Sequence, residues 1–166
     1  MIFYQYIDSP VDPLLLAADE QGLRLVEFHR PRHAMARLAH WSEGDNAVLQ
    51  ATRAQLGEYF RGTRSSFDLP LTPMGTPFQK QVWFALADIP YGSTISYAQL
   101  AVRVGKPKAM RAVGAANGRN PLPIVLPCHR VIGADGSLTG FGGGLPTKQF
   151  LLELEGALPR AGDLFD

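Results

Sequence analysis

Three short apolar runs, Ile2 to Ile7, Leu14 to Ala18 and Leu23 to Phe28, open the chain. Turn-forming segments separate them: Asp8-Ser9-Pro10-Val11-Asp12-Pro13 and Glu20-Gln21-Gly22. Runs of this length between such breakers predict an antiparallel meander. From Ala47 to Arg61 the period becomes helical. Leu49, Leu56 and Phe60 recur on one face and Gly62 stands where a helix ends, so a helix is expected to cover the sheet. Ser66 to Leu69 is a candidate further strand. His33 and Trp41 read as packing or surface residues, and nothing in this half reads as catalytic.

Pro70, Pro73, Gly75 and Pro77 resist both helix and sheet, which places a boundary between domains 1–74 and 75–166. Thr76, Pro77 and Gln79 then form a capping box with proline at the first helical position. Phe78, Val82, Trp83 and Leu86 give that helix its buried stripe, and it is expected to stop by Pro90. Ser96 with Gln99 forms a second box, opening a helix over Tyr97 to Val102 that Gly105 ends. Pro107 is expected to start a third helix running to about Asn117 and closed by Gly118. Two short helices about Gly105, the second bearing Lys108 and Arg111, match a helix-turn-helix, although any αα-hairpin gives the same pattern. Ala109, Ala112, Gly114, Ala115 and Ala116 leave the second helix little bulk, which allows close approach to a DNA groove or another helix.

Ile124 to Leu126 and Val131 to Ile132 read as two short buried strands. Pro127 interrupts them, so Cys128 is expected at a bend. Gly133-Ala134-Asp135-Gly136 reads as a hairpin or wing, and Gly140 to Gly144 as a mobile loop without the G-x-G-x-x-G spacing of a nucleotide site. Thr147 to Glu155 closes the chain as a helix burying Phe150, Leu151 and Leu154.

The 166 residues suffice for one domain or two small ones, and 46% hydrophobic with 19% charged content marks an ordinary globular chain. The net charge of +1 is unevenly divided. Residues 1–74 carry seven Lys and Arg against nine Asp and Glu, and residues 75–166 carry nine against six. From Ile89 to Ala134 there are six cations, Arg103, Lys106, Lys108, Arg111, Arg119 and Arg130, and no acid, which suits either a polyanion or a solvated basic face. A single cysteine excludes an internal disulfide and fits a reducing compartment. The four histidines have no ligand spacing, so neither metal nor cofactor is expected. Neither a signal peptide nor a membrane span is evident, and the expected location is cytoplasmic.

That cysteine, Cys128, is followed at once by His129 and Arg130. A lone cysteine is commonly an inert small hydrophobe. Next to an imidazole and a guanidinium, however, its pKa is expected to fall and the thiolate to become a nucleophile. Adjacent residues on an extended chain face opposite ways, so a direct bond between Cys128 and His129 needs a bend or a bridging water. Glu155, on the last helix, is the nearest acid available to orient the imidazole. These residues alone leave a thiol hydrolase and a DNA-binding regulator with a redox-sensitive thiol open beside group transfer.

The run Asn120-Pro121-Leu122-Pro123-Ile124-Val125-Leu126-Pro127-Cys128-His129-Arg130-Val131-Ile132, preceded by Arg111-Ala112-Val113-Gly114, strongly resembles the O6-alkylguanine-DNA alkyltransferases of the bacterial single-acceptor type. Ile89-Pro90-Tyr91-Gly92, Ser96-Tyr97, Gly142-Gly143-Gly144 and Leu151 to Gly156 fall in family order, so the likeness spans Thr76 to Gly156. The first half is similar mainly through Ser9-Pro10, Pro13-Leu14 and the meander.

The resemblance implies an α+β chain: a small ribonuclease-H-like α/β domain followed by a winged helix-turn-helix domain that carries the acceptor cysteine. It implies direct-reversal repair of double-stranded DNA, bound through the minor groove with the damaged base flipped out. Cys128 would accept the alkyl group irreversibly, His129 would act as base through a water, and Glu155 would orient His129. Asn120 would hold the cysteine-bearing turn, Tyr97 would donate to guanine N3, and Arg111 would fill the gap left in the duplex. The carbonyls of Cys128 and Val131 would accept from the guanine amino group, and the Gly142 amide would donate to O6. Ser96 joins this substrate-binding set. So does Phe141, which stands where bacterial relatives commonly have tyrosine. Asp12 stands where the family often has glycine. A monomer is implied, with cooperative assembly on DNA and the preference among O6-methylguanine, O4-methylthymine and bulkier adducts left open.

Overall fold

The computed structural model describes residues 1–29 and 40–159, and His33 lies outside them. The chain divides into two compact units, Met1–Met74 and Gly75–Asp166. In the first, β1 (Phe3–Ile7), β2 (Leu14–Ala18) and β3 (Leu23–Phe28) form the expected antiparallel meander. A two-residue β4 (Ser42–Glu43) pairs in parallel with β1, giving the order β3-β2-β1-β4. β2 is buried at every position, which is why it reads as an unbroken Leu-Leu-Leu-Ala-Ala instead of alternating. Leu15 and Ala17 pack with Leu25 beneath Ile2, Tyr4 and Trp41.

Helix α1 (Ala47–Phe60) packs on β2 and β3. Asn46 caps it: its Oδ1 accepts from the Leu49 N–H (2.8 Å), while its Nδ2 donates to the Ala18 carbonyl (2.9 Å) and so ties the helix start to the sheet. The buried stripe is Val48, Leu49, Thr52, Leu56 and Tyr59; Phe60, expected inside, is half-buried. The strand expected over Ser66 to Leu69 does not form. Only Leu71 bridges to Leu23, because Pro70 and Pro73 have no N–H with which to extend a ladder. Asp12 stands at φ 71°, a left-handed conformation that Asp tolerates better than most side chains, and the Ser9 hydroxyl donates to its carbonyl.

In the second unit both capping boxes are present. Thr76 Oγ1 accepts from the Gln79 N–H (3.1 Å) and Gln79 accepts in return from the Thr76 N–H (3.0 Å), opening α2 (Pro77–Ala85). Val82, Trp83 and Leu86 are buried and Phe78 is half-buried. The helix tightens into a 3-10 turn, Leu86–Asp88, before Pro90. The Ser96–Gln99 box opens α3 (Tyr97–Arg103) directly after β5 (Ile95–Ser96). Gly105, at φ 75°, ends α3: its N–H donates to the Val102 carbonyl and the Lys106 N–H to that of Ala101 (3.0 and 2.9 Å).

Helix α4 (Met110–Gly118) starts three residues later than Pro107 suggested. Pro107 instead occupies a turn closed by the Ala109 N–H on the Lys106 carbonyl (2.9 Å), a place its fixed φ suits equally well. Helices α3 and α4 make the helix-turn-helix, and Trp83 Nε1 ties α2 to it through the Ala116 carbonyl (2.7 Å). β6 (Val131–Ile132) pairs in parallel with β5. The wing position is a tight reversal, with the Gly133 N–H on the Ser137 carbonyl (2.8 Å), and no returning strand follows among the described residues. The final helix, α5, runs Leu145–Leu154.

Candidate active site

The segment before Cys128 is built on one side chain. Asn120 Oδ1 accepts from the Leu122 N–H (2.9 Å) and its Nδ2 donates to the Leu126 carbonyl (2.7 Å), bracketing a tight loop. Ile124, inside that loop, adopts φ 73° with its side chain buried. A β-branched residue in this region carries roughly 1–3 kcal/mol of strain. The strand expected over Ile124 to Leu126 is therefore a series of turns: the apolar run signals burial, and burial alone does not imply extension. Cys128 then begins a 3-10 turn, Cys128–Arg130, so the expected bend is present.

The pairing of β5 with β6 assembles the rest. Its register sets Ile95 beside Val131 and Ser96 beside Ile132, so the start of α3 with Tyr97 lies next to the strand that leaves the Cys128 turn. The Tyr97 hydroxyl donates to the Thr139 carbonyl (3.2 Å) and accepts from the Thr139 hydroxyl (3.2 Å). Helix α5 packs on the Cys128 turn. It ends at Glu155 because Gly156, at φ 78°, closes it, with the Ala157 N–H on the Leu152 carbonyl (2.9 Å).

His129 is fully buried, and its Nε2 lies 2.7 Å from Glu155 Oε2. Glu155 also accepts from Arg130, Nε to Oε1 at 2.8 Å and Nη2 to Oε2 at 3.0 Å. Burial pushes the Glu155 carboxyl up, but the hydrogen bonds from His129 and Arg130 overcome it and hold the group at about 2. Burial, aided by the charges of Arg130 and Lys148, holds His129 below the usual imidazole range despite Glu155. Arg130 does not take the place expected of it, facing a polyanion and lowering the thiol pKa. It is only 5% exposed and paired with Glu155.

The cation that does act on the thiol is Lys148. This side chain, fully buried, donates to the carbonyls of Val131 (2.7 Å) and Thr139 (2.9 Å), and burial lowers its pKa to about 8. The fall expected for the Cys128 thiol is not found: burial pushes it up to about 11, against an Asn120 hydrogen bond, the Lys148 charge and two backbone N–H groups. The sequence puts Phe150 and Leu154 in the buried stripe of α5 and gives no place there to Lys148. Both are half-buried, and the inward positions are Lys148, Leu151, Leu152 and the capping Glu155. A lysine three and seven residues before Leu151 and Glu155 was the available signal.

Cys128, His129, Glu155, Asn120 and Val131 are thus brought together, with Tyr97 joined through Thr139. Val131 is buried and presents its carbonyl to Lys148. Ser96 Oγ accepts from the Gln99 N–H (3.1 Å) as the cap of α3, a bond that does not use its O–H. Phe141 and Gly142 lie in the turn before α5, closed by the Gly144 N–H on the Phe141 carbonyl (3.0 Å), and an added side chain at Gly142 would meet open space. Arg111 is exposed on the first turn of α4, as are Arg103, Lys106, Lys108 and Arg119 on the helix-turn-helix and after it. Among the described residues no group of three or more His, Cys, Asp or Glu is placed to hold a metal, and no helix is long and apolar enough to cross a membrane.

Fold and site together define a helix-turn-helix protein with an internal cysteine centre. The model of the 6-O-methylguanine DNA methyltransferase ribonuclease-like domain matches residues 2–73, and that of the DNA binding domain of the same proteins matches residues 77–157. A methylated-DNA–protein-cysteine methyltransferase of Methanosarcina barkeri is 51% identical over 154 residues, 93% of this chain and 97% of the relative. The crystal structure of Mycobacterium tuberculosis O6-methylguanine methyltransferase is similar at a TM-score of 0.86 and 46% identity, over 100% of both chains. The M. tuberculosis protein in complex with DNA gives 0.85 and 45%, over 99% of both. The chain belongs to the 6-O-methylguanine DNA methyltransferase family.

Proposed function

We propose that the chain repairs DNA by direct reversal: Cys128 takes the alkyl group from an O6-alkylguanine flipped out of a duplex bound through the minor groove, once per molecule. The observation that carries this is a buried thiol on a turn whose next residue pairs with Glu155 at 2.7 Å, in the same unit as an exposed basic helix-turn-helix. The target atom lies within the base stack, so the nucleotide must be extruded at a cost of a few kcal/mol. Arg111, exposed at the start of α4, is the side chain to occupy the gap.

In the transfer, His129 Nδ1 takes the thiol proton through a water, and the sulfur attacks the alkyl carbon as its bond to O6 breaks. The electron pair passes to the purine; Tyr97, turning its phenol proton from the Thr139 carbonyl to the base, and the Gly142 amide stabilise the growing charge, and the purine finally regains a proton. The product thioether has no acyl carbon for water to attack, so the protein stays alkylated. The chain acts as a monomer, and bound to DNA it is a cytoplasmic, nucleoid-associated protein.

Intact mass after mixing with duplex DNA containing O6-methylguanine tests this. One methyl in place of a proton, on Cys128 and stoichiometric, is expected, and Cys128→Ser should bind DNA without gaining mass. A regulator with an oxidisable thiol would bind and gain nothing, and a hydrolase would turn over repeatedly; either result would overturn the assignment.

A further inference from the structure

Arg130 makes more contacts than any surface cation needs. Beyond its two bonds to Glu155, its Nη1 donates to the Ile89 carbonyl (2.7 Å) and its guanidinium carbon lies 5.7 Å from the centroid of the Tyr91 ring. Arginine is a cation whose planar guanidinium fits a carboxylate in two-pronged fashion, as here on both oxygens of Glu155. Glu155 is therefore ionised, and an ionised carboxylate only accepts. His129 Nε2 must then carry the proton it shares with Oε2, which leaves Nδ1 with a lone pair and no hydrogen-bond partner among the described residues.

The charge on the ring follows from who else faces it. A buried imidazole beside an uncompensated carboxylate gains a proton readily. Here the carboxylate is already matched by a guanidinium, so His129 meets a pair of no net charge, and burial decides for the neutral ring. The other charged group acting on it is Lys148 from α5, whose positive charge works in the same sense; Cys128 lies on the same turn. We propose that Arg130 is a positioning residue for alkyl transfer: by neutralising Glu155 it keeps His129 an uncharged proton acceptor. This rests on Cys128 being the alkyl acceptor.

The test is an NMR titration of the His129 ring in the full protein without DNA, alongside the pH profile of single-turnover transfer from duplex DNA containing O6-methylguanine. Wild-type His129 should be neutral at pH 7 and take up a proton only below the usual imidazole range. In Arg130→Met the ring should protonate at a pH higher by about one unit or more, and the acid limb of the transfer rate should move with it. Arg130→Lys, which keeps the charge, should hold the midpoint near that of wild type. A purely structural role would lower the rate without moving the limb, and a folded Arg130→Met with an unmoved midpoint would overturn the proposal. If Arg130→Met does not fold, the wild-type ring decides, since a charged His129 at neutral pH is incompatible with it. A charged ring with normal methyl uptake removes the role of Arg130 alone. A neutral ring without uptake removes the acceptor assignment instead.

Discussion

Lys148 and Tyr97 donate to the same acceptor, the carbonyl of Thr139, at 2.9 and 3.2 Å. The last helix and the first helix of the helix-turn-helix are thereby joined through one residue of the loop between β6 and α5. Lys148→Met would take this donor from the buried Val131 carbonyl and leave the Thr139 carbonyl to Tyr97. A buried polar group stripped of its partner costs about 1–3 kcal/mol, and urea unfolding should show a loss of that size. Transfer should slow as well, because Thr139, which places the Tyr97 phenol through its carbonyl and its hydroxyl, loses its tie to α5. Unchanged stability and rate would show that the shared carbonyl does not matter.

Asn120 closes the loop that holds Ile124 in its left-handed conformation. Asn120→Ala removes two hydrogen bonds, each worth about 0.5–1.5 kcal/mol net, and releases the bracket around a strained residue. A loss of about 2 kcal/mol in urea unfolding is expected, with transfer reduced further because Cys128 follows the same loop. Retention of full activity with lowered stability would separate the loop's packing role from its hold on the thiol.

Acid should destabilise the protein through the buried pair. Folded Glu155 titrates at about 2 and unfolded Glu155 near 4.5, while His129 lies below its ordinary 6.5 only when folded. In both cases the unfolded chain binds more protons in acid, so stability rises with pH. The Glu155 contribution is full above 4.5 and is lost toward about 2, and the His129 contribution is lost from 6.5 downward. The melting temperature should fall steadily on acidification, and His129→Gln should remove the part of the fall nearest neutrality. A melting temperature indifferent to pH over this range would contradict the buried charges.

Five exposed cations, Arg103, Lys106, Lys108, Arg111 and Arg119, leave a shallow but definite electrostatic footprint. DNA affinity should fall with salt, and replacing Lys108 by Ala should flatten the slope of log affinity against log salt by about one. Arg111→Ala should slow repair in duplex DNA more than reaction with free O6-benzylguanine, since only the duplex leaves a gap to fill. Equal losses on the two substrates would remove the gap-filling role.

What lay in the sequence was whatever short-range geometry dictates. The Thr76 and Ser96 capping boxes join residues three apart, Gly62 and Gly105 end helices because few other residues adopt their φ, and the β2 meander follows from three apolar runs between turn formers. Pro127 alone was enough to place Cys128 at a bend. The fate of the charges was not legible in this way. Arg130 and Glu155 are 25 residues apart, and Lys148 reaches Val131 across 17, so whether each cation faces water or closes on an internal acceptor depends on how α5 seats against the Cys128 turn. Likewise Ile124 to Leu126 has the composition of a strand, and only the Asn120 bracket, made from both ends of the loop, turns it back on itself. Local dihedral preference is written residue by residue, whereas burial and ion pairing exist only once distant segments exclude water from one another.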